Sequence, residues 1–523
     1  MSLTQVSYSM VSSAPFSVLD YGADPTGATD SAPAILAAFA AVKANGGGVI
    51  DFPNNDLGGT YLISYGFRIP NNCTVRLNGC TLRATTTYAQ GTIPTEGYTA
   101  FFTFGRPTSE SPLPANTGNS SILGGNAIFQ MRRNEQTGTV PGYMGVELKT
   151  TDVPQQVDHL KLKNIVVRDL TINYSGFDGV YVQGVQNALF ENIITNYALR
   201  IGFTGISGDT VTFNDCQARL TVGSNPNVPA NNRGPANSGE GFWNEPDFTW
   251  QYMNKWQYNG CRAELNYQSG FKPWNAGADA QFGIVLNDCY SYSNVYDATV
   301  PALRSSPGFA QFEVTLNDTS SNACYVIMNN CIADTGLDGG FIFNKGTGAG
   351  KNVRIVLNEC VVTNCNISNT VSINRAPIHA LTSAGLPAII VNNPTIIAPT
   401  PNTSGYGIYF AETTNVQVTA PVFVGTFTVE FLNAPLYAEV DLTGSTPSIA
   451  TLDVETGTVT VAGAALGDFV SMSSTVNLSN SFVLSAKVSA ADTVTYGIYN
   501  VSGGSVTRIA TRLCVRVNQN PSN

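Results

Sequence analysis

The sequence predicts an all-β protein whose body is a parallel β-solenoid, a coil of short strands that stack on one another. Three observations predict it: a repeated Asn-x-Cys motif, a Gly-Phe marker in phase with that motif, and a composition poor in charge and rich in glycine. Charged residues make up 12% of the 523 residues, against roughly 25% in an average soluble domain. The 50 glycines favour tight turns between strands over long helices.

Six of the ten cysteines end an apolar stretch in the motif Asn-x-Cys: Cys80, Cys216, Cys261, Cys289, Cys331 and Cys360. In the plain coils a Gly-Phe pair follows ten residues after the cysteine, as Phe271 follows Cys261 and Phe341 follows Cys331. The resulting period of 28 or 29 residues is typical of a solenoid, in which equivalent residues stack. We therefore interpret the cysteines as reduced, small buried side chains.

Two coils carry extra residues in the same arc, between the cysteine and the next phenylalanine. These loops are 217–241, before Phe242, and 290–308, before Phe309, which we take as the anchor of its coil. Insertions in a solenoid lie on one face, which is often the binding face. We therefore expect the functional site in the coils from Cys216 to Cys331.

The N-terminal part predicts a helix that closes the open end of the solenoid. Thr29 or Asp30 can cap an alanine-rich helix from Ser31 to Ala44, with Pro33 in its first turn, and the glycines 46–48 end it. A helix in this place protects the first, unpaired edge of the coil.

After about residue 437 the Asn-x-Cys repeat stops and apolar and polar residues alternate, as in SFVLSAKVSA and DTVTYGIYN. This pattern predicts an antiparallel β-sandwich, with residues 502–505 (SGGS) as a hairpin turn. We divide the chain into a short N-terminal peptide (1–15), the solenoid (16–437) and the sandwich (438–523).

Charge and motifs exclude several classes of partner. The net charge is −10 and the pI about 4.8, so we expect no nucleic-acid partner. The N-terminal stretch MSLTQVSYSMV has no Lys or Arg, and no run of about 18 apolar residues occurs, so we expect neither a signal peptide nor membrane insertion. The cysteines do not form C-x-x-C pairs and EF-hand spacing is absent, so we expect no metal and no cofactor.

The stretch PFSVLDYGADPTGATD, followed by the predicted helix, a GGG turn and GTYLIS, resembles the opening of the pectate-lyase-like superfamily of right-handed parallel β-helices. The start MSLTQVSYSM resembles phage receptor-binding proteins that attach to the virion by a short N-terminal peptide. The run 467–506 is similar to a terminal β-domain of tail fibres and spikes. Lyases, hydrolases and non-enzymes share this scaffold, so the resemblance implies the fold more strongly than the reaction.

The resemblance implies a homotrimeric bacteriophage tailspike located in the virion. Its peptide 1–15 would bind the phage tail or an adaptor protein, and the sandwich would stabilise the trimer or bind carbohydrate. Its β-helix would adsorb to the host cell surface and depolymerise capsule, O-antigen or exopolysaccharide outside the cell.

All four tryptophans fall between positions 243 and 274, beside the first long loop. Aromatic faces stack on the apolar faces of sugar rings, although large aromatics also fill cores and subunit interfaces. We predict that the aromatic and cationic side chains around this loop bind the substrate: Trp243, Trp250, Trp274, Tyr292, Tyr296, Arg233, Lys272 and Arg304.

The segment GEGFWNEPDF supplies three carboxylates, Glu240, Glu245 and Asp247. Glycoside hydrolysis needs two carboxyl groups, one as acid and one as base or nucleophile. We predict Glu240 as the general acid, because burial two residues before Phe242 would raise its pKa, and Asp247 or Glu245 as the base. The function predicted is endo-acting glycoside hydrolysis; solvated loop carboxylates are the alternative interpretation.

Two other functions remain open on the sequence. A polysaccharide lyase would use a cation such as Lys272, Arg233, Arg262 or Arg304 to neutralise a uronate carboxylate, with a tyrosine as base. A non-cleaving adhesin would use the same aromatics and loops. For His159 and His379 we expect structural or surface roles, and we interpret Asp178 and Asp338 as turn residues.

Overall fold

The computed structural model is described here for residues 14–54, 59–90, 93–94, 97–105, 117–136, 143–150, 160, 162–223, 238–246, 251–275, 281–294, 310–316, 324–336, 339–345, 353–365, 376–380, 388–398, 406–410, 416–424, 427, 429–432, 436–444, 446–461, 464–474, 481–509 and 511–518. Within these residues, 34 strands form one continuous sheet wound into a right-handed parallel β-helix, which confirms the predicted fold class. Equivalent strands of successive coils stack into three faces. Face 1 begins at the Phe anchors, face 2 ends at the Asn of the motif, and face 3 follows the Cys.

Four long strands pass through more than one face: Thr117–Gln130, Leu162–Asn173, Val180–Asn196 and Phe203–Asn214. The other strands of face 1 are Gly66–Arg68, Phe102–Gly105, Val146–Lys149, Phe242–Asn244, Phe271–Asn275, Phe312–Leu316, Phe341–Lys345, Ile378–Ala380, Tyr406–Phe410 and Val429–Leu432. One further strand, Gly97–Tyr98, pairs antiparallel to the first of these.

The other strands of face 2 are Phe16–Ser17, Gly48–Asp51, Cys73–Arg76, Met253–Asn259, Phe282–Asn287, Cys324–Asn329, Val353–Asn358, Ala388–Asn392 and Val416–Thr419. Those of face 3 are Thr26–Asp30, Thr60–Ile63, Thr81–Ala84, Gln217–Arg219, Arg262–Glu264, Tyr290–Tyr292, Ile332–Gly336, Val361–Cys365, Thr395–Ile397 and Val422–Val424. A 3₁₀ helix spans Val18–Tyr21 and another spans Arg133–Glu135.

The Asn of the repeated motif forms a ladder of side-chain amides along the coils. Asn259 donates to Asn214 at 2.9 Å and accepts from Asn287 at 2.8 Å, and the same bond recurs up to Asn392. The residue after each Asn has a left-handed backbone, as in Asp288 (φ 53°). The ladder therefore satisfies the amides at a turn that every coil makes in the same place.

The Gly-Phe marker results from stacking in the interior. The rings of Phe242 and Phe271 lie 4.7 Å apart at an interplanar angle of 4°. The glycine is required because the coils approach closely: a Cβ at Gly241 would lie 2.7 Å from the carbonyl oxygen of Gly270. The same close approach recurs at Gly202, where a Cβ would lie 2.6 Å from the carbonyl oxygen of Gly241.

The predicted anchor Phe309 is wrong. Phe309 lies outside the described residues, and Phe312 occupies the stack, 5.0 Å from Phe271 and 4.8 Å from Phe341. The error arose because Phe309 follows Gly308 and so carries the Gly-Phe marker, whereas Phe312 follows Gln311.

The cysteines are reduced, as predicted: the ten, which all lie within the described residues, form no disulfide bond, and only Cys514 is not fully buried. Cys261 follows the motif Asn, and its thiol lies 3.4 Å from the carbonyl oxygen of Phe213 in the preceding coil. Small interior side chains at this turn let each coil stack directly on the next.

The helix spans Ala32–Ala44 with Pro33 in its first turn, as the sequence predicts. Asp30 accepts a hydrogen bond from the backbone N–H of Ala32 at 3.1 Å, so it satisfies one of the free donors of the first turn. On the buried side of the helix, the Phe39 ring stacks on Phe67 at 5.6 Å. The helix thus packs on the interior of the first coils.

The C-terminal strands pair antiparallel, as predicted. One sheet contains Leu436–Asp441, Phe469–Ser474 and Arg512–Asn518, another contains Val454–Thr460, Phe482–Ala490 and Thr493–Asn500, and Ser448–Ile449 pairs with Val506–Thr507. Val515 and Val517 of the first sheet pack with Val488 and Val494 of the second, so the two sheets form a sandwich.

The hairpin prediction for residues 502–505 is wrong. The strand after this turn, Val506–Thr507, pairs with Ser448–Ile449, whereas the strand before it, Thr493–Asn500, pairs with Phe482–Ala490 across a turn at 491–492. The turn at 491–492 gave a weaker signal in the sequence than the turn at 502–505, because it lacks glycine.

Replacing Asn259 with alanine removes one ladder bond on each side and leaves the amides of Asn214 and Asn287 without these partners. We expect Asn259→Ala to destabilise the fold by about 1–3 kcal/mol, measured as a fall in the thermal unfolding midpoint. Gln257→Ala, at an exposed position of the same strand, is the matched control. Equal midpoints for the two variants would contradict a stabilising ladder.

Candidate active site

Face 1 differs from the other two faces because its outward side chains are more deeply buried. The strand Phe102–Gly105 is buried at every position, as are the first six residues of Phe203–Asn214. On face 2, buried and partly exposed residues alternate, as in Cys324–Asn329. In the middle coils of face 1 the outward side chains are polar or aromatic, and of these Lys272 and Trp274 are partly exposed.

Register brings three of these side chains together. Trp243, Lys272 and Glu313 each follow the Phe anchor of their coil, and the pairing places Trp243 beside Lys272 and the coil of Phe271 beside that of Phe312. Glu240 lies two residues before its anchor, at the edge of the same face. The four side chains form what we call the Lys272 cluster.

Lys272 is shared by two carboxylates. Its ammonium donates a hydrogen bond to Oε1 of Glu240 at 3.1 Å and lies 3.6 Å from Oε2 of Glu313. Glu240 is completely buried, and only 11% of the Lys272 side chain is exposed. Oε1 of Glu240 and Oε2 of Glu313 therefore lie close to each other, on either side of one ammonium group.

The pKa values of Lys272 and Glu313 are both raised above their ordinary values. Burial alone would lower the pKa of Lys272, but attraction by Glu313 and Glu240 outweighs burial and raises it. Burial raises the pKa of Glu313, although Lys272 and a 2.7 Å hydrogen bond from Ser269 favour its charged form. Glu313 therefore holds its proton above the usual carboxyl range, because the effect of burial outweighs these two contacts.

Two tryptophans border the ammonium group. The rings of Trp243 and Trp274 stack at 5.4 Å, and Nζ of Lys272 lies 5.1 Å and 5.7 Å from their centroids. Both distances allow cation–π attraction. Trp243 is buried and Trp274 is partly exposed, so Trp274 is the aromatic surface that a ligand meets first.

A second polar cluster lies in the preceding coils of face 1. Asp178 is completely buried and accepts hydrogen bonds from Thr204 at 2.8 Å and from Arg200, whose Nε lies 2.7 Å away and whose Nη2 also donates. Burial alone would lower the pKa of Arg200, but attraction by Asp178 outweighs burial and raises it. Glu245 contributes to this rise. Glu245 also raises the pKa of Lys272, so its charge acts on both clusters.

The entry points of the two long loops are joined by buried amides. Asn266 accepts from Thr221 at 2.6 Å and donates to Asn294 at 2.8 Å; Asn294 donates to Gln311 at 2.8 Å. Thr221 and Asn294 are close to the described ends of the chain before each loop. Gln311 lies two residues before Glu313, so the network connects the loop bases to the Lys272 cluster.

The structure brings together four of the predicted site residues: Glu240, Trp243, Lys272 and Trp274. Glu245 lies beside them, partly exposed, on the strand end after Trp243. Tyr292 lies on face 3, where it is 36% exposed and stacks with Tyr290 at 6.1 Å, so it is not part of the cluster. The remaining predicted residues lie outside the described part of the chain: Asp247, Trp250, Tyr296, Arg233 and Arg304.

The remaining residues that the sequence analysis considered lie outside the Lys272 cluster or outside the described part of the chain. His379 is completely buried, and burial lowers its pKa to about 4; His159 and Asp338 lie outside the described residues. Asp178, interpreted as a turn residue, instead forms the buried pair with Arg200. Arg262 lies on face 3, over the Tyr290 ring.

Sequence reasoning missed Glu313 and Arg200. The signal for Glu313 was present: it follows its Phe anchor as Lys272 and Trp243 follow theirs. This signal was not recognised because the Phe anchor of the coil was predicted at Phe309 and not at Phe312. Arg200 follows no repeated marker, so only its contact with Asp178 identifies it.

Among the described residues, no group of three or more His, Cys, Asp or Glu side chains is arranged to hold a metal ion. The described part of the chain also contains no helix long and apolar enough to cross a membrane.

Several solved structures share the fold at low sequence identity. The tailspike of E. coli bacteriophage HK620, a mutant form in complex with a hexasaccharide, matches with a TM-score of 0.52 and 13% identity over 97% of this chain and 93% of that chain. The A-module of the Azotobacter vinelandii mannuronan C-5 epimerase AlgE4 matches with 0.52 and 13%, over 80% and 97%. The exopolygalacturonase of Thermotoga maritima matches with 0.50 and 11%, over 78% and 91%.

No protein-family profile and no curated protein sequence matches this chain. At these identities the structural likeness establishes a common fold, the right-handed β-helix, and the chemistry has to be argued from the site.

Removing the Lys272 ammonium group alone should destabilise the fold more than removing it together with the charge of its partner Glu240. We expect Lys272→Met to cost about 3–5 kcal/mol, because it leaves Glu240 buried without its ion pair. Lys272→Met combined with Glu240→Gln should recover part of this loss. Unfolding midpoints of the two variants test it, and a double variant that is less stable than the single one would contradict the pairing.

Proposed function

We propose that this protein is the body of a bacteriophage tailspike that binds a bacterial surface polysaccharide and hydrolyses it internally. The Lys272 cluster carries the proposal: carboxyl groups with different environments lie beside stacked tryptophans on a covered face of the β-helix. Glycoside hydrolysis requires a protonated acid and an ionised partner, and sites that perform it push the two pKa values apart. The fold supports the substrate class, because the neighbours named above include a tailspike with bound hexasaccharide and a polygalacturonase.

Within the site we assign Glu313 as the general acid, because its raised pKa keeps a proton available. Glu245 is the base, since it is the carboxylate of this region that is partly exposed. Glu240, first predicted as the acid, is enclosed and hydrogen-bonded to Lys272, so we assign it to positioning that cation. Trp274 offers the sugar-stacking surface.

The charges of face 1 favour hydrolysis over elimination. A lyase needs a cation that is available to neutralise the carboxylate of a uronate. Lys272 already contacts two carboxylates, and Arg200 binds Asp178 through two nitrogens. An additional carboxylate in this place would meet more negative than positive groups, so we expect a substrate that is uncharged at the cleavage point.

The reaction is tested by mixing the protein with purified surface polysaccharide and following polymer size. We expect rapid loss of chain length, with product masses that correspond to whole repeat units plus water. Products lighter by one water and absorbing in the ultraviolet would identify a lyase, and binding without loss of size would identify an adhesin.

Glu313→Gln should lower the rate of depolymerisation by about 10²–10⁴-fold, the usual contribution of general acid catalysis. In the unmodified protein, activity should fall as pH rises through the pKa of Glu313, because the acid loses its proton. Glu264→Gln, a carboxylate of face 3 paired with Arg219, is the matched control and should keep full activity. Full activity of Glu313→Gln would assign the acid to another residue.

The same shift predicts a dependence of stability on pH. Because the pKa of Glu313 is raised on folding, the folded state binds its proton more tightly than the unfolded state does. Its contribution to stability is therefore present in acid and is lost as pH rises above the ordinary carboxyl pKa. Glu313→Gln should flatten this part of the curve of unfolding midpoint against pH; an unchanged slope would show that Glu313 is not responsible.

We also propose that the protein forms a homotrimer, attaches to the phage tail or an adaptor through residues 1–15, and acts at the host cell surface. Flat stacked faces of a β-helix can pack around a three-fold axis. Light scattering at micromolar concentration should give three times the 55.4 kDa of the chain. A monomeric mass would contradict the trimer.

A further inference from the structure

The Lys272 cluster contains a donor and an acceptor that are enclosed and make no hydrogen bond. They are Nε1 of Trp243 and Oε2 of Glu240. Leaving a buried polar group without a partner costs about 1–3 kcal/mol, more for charged groups, and native proteins rarely do so. Two such atoms in one cluster indicate that a further group binds there.

The two atoms belong to side chains that are held to the same ammonium group. Oε1 of Glu240 lies 3.1 Å from Nζ of Lys272, and the Trp243 ring centroid lies 5.1 Å from it. Stacking on Trp274 fixes the plane of the indole. The Glu240 side chain is fixed by its bond to Lys272, which leaves its second oxygen as an acceptor.

The chemistry of the two atoms selects the group. An indole N–H only donates, and a carboxylate oxygen accepts. A cation cannot accept from the indole, and an anion would be repelled by the Glu240 carboxylate. A hydroxyl group can accept from Trp243 and donate to Glu240 at the same time.

We propose that Trp243 and Glu240 bind one hydroxyl group beside Lys272. The oxygen comes either from a sugar of the polysaccharide or from a water molecule, and the sugar source rests on the proposed function. A sugar hydroxyl held here would determine which monosaccharide occupies the site, because an analogue without it leaves both buried partners unpaired. A water held here would lie next to Glu313 and Lys272.

Crystal structures of the protein alone and soaked with oligosaccharides released from its polysaccharide test the site directly. We expect an oxygen atom about 3 Å from both Nε1 of Trp243 and Oε2 of Glu240. Replacement of a water by a sugar hydroxyl in the soaked crystal identifies the sugar as the source; a water retained in both identifies water. Absence of any oxygen near both atoms in either crystal overturns the proposal.

Trp243→Phe and Trp274→Phe form a matched pair, since each keeps an aromatic ring and only the first removes the enclosed N–H. If the group is a sugar hydroxyl, we expect Trp243→Phe to weaken polysaccharide binding about tenfold more than Trp274→Phe does. If it is a water, we expect affinities that differ little and a crystal of Trp243→Phe without the oxygen. An oxygen that stays in place in Trp243→Phe overturns the role of Trp243.

These outcomes are separate from those of the proposed function. A protein that binds no polysaccharide contradicts the tailspike proposal, yet its crystal structure without sugar still shows whether the hydroxyl site is filled. Conversely, a depolymerase whose crystals lack the oxygen retains its proposed function and loses this site.

Discussion

The β-helix depends on one constraint, that the repeated residues of each coil lie beside their equivalents in the next coil. Parallel pairing places each residue beside the equivalent residue one coil away. Each side chain therefore packs against the side chain at the same position of the next coil. The asparagine amides, the phenylalanine rings and the cysteines each form such a column. Polar residues on face 1 obey the same constraint, which is why a tryptophan, a lysine and a glutamate from three coils meet.

This constraint also explains the charge balance of the candidate site. Unlike the columns of identical residues, the outward column of face 1 alternates in type, from Trp243 to Lys272 to Glu313. Opposite charges in neighbouring coils stabilise the stack, whereas like charges would weaken it. The second acid, Glu240, enters from the turn before the strand, so two acids share the single cation. Burial raises the pKa of Glu313, because one ammonium group cannot offset the desolvation of both acids.

Much of the fold could be predicted because its signals are local and repeated. Asn259, Cys261 and Phe271 recur at fixed spacing, and a periodic pattern survives even when single residues vary. The helix Ala32–Ala44 was predictable from Pro33 and its alanines. The turn at 502–505 was misassigned because antiparallel partners are chosen by packing between sheets, which no local pattern encodes.

The site was only partly predictable, for a related reason. Clustering in sequence found Glu240, Trp243, Lys272 and Trp274, which sit close to one another along the chain. Glu313 is distant from these residues in sequence. Its coil carries the second long loop, and the Gly-Phe pair at Phe309 in that loop was mistaken for the anchor of the coil. Tyr292 shows the opposite error, because it is near the others in sequence but its strand belongs to a different face.

The column of reduced cysteines gives this molecule a built-in set of chemical reporters. From Cys216 to Cys360, five successive coils each keep at least one thiol in the dry interior. A reagent that modifies thiols can reach such a sulfur only when that coil opens. Mass spectrometry of labelled peptides would therefore map, coil by coil, where the helix frays first and how far the fraying spreads.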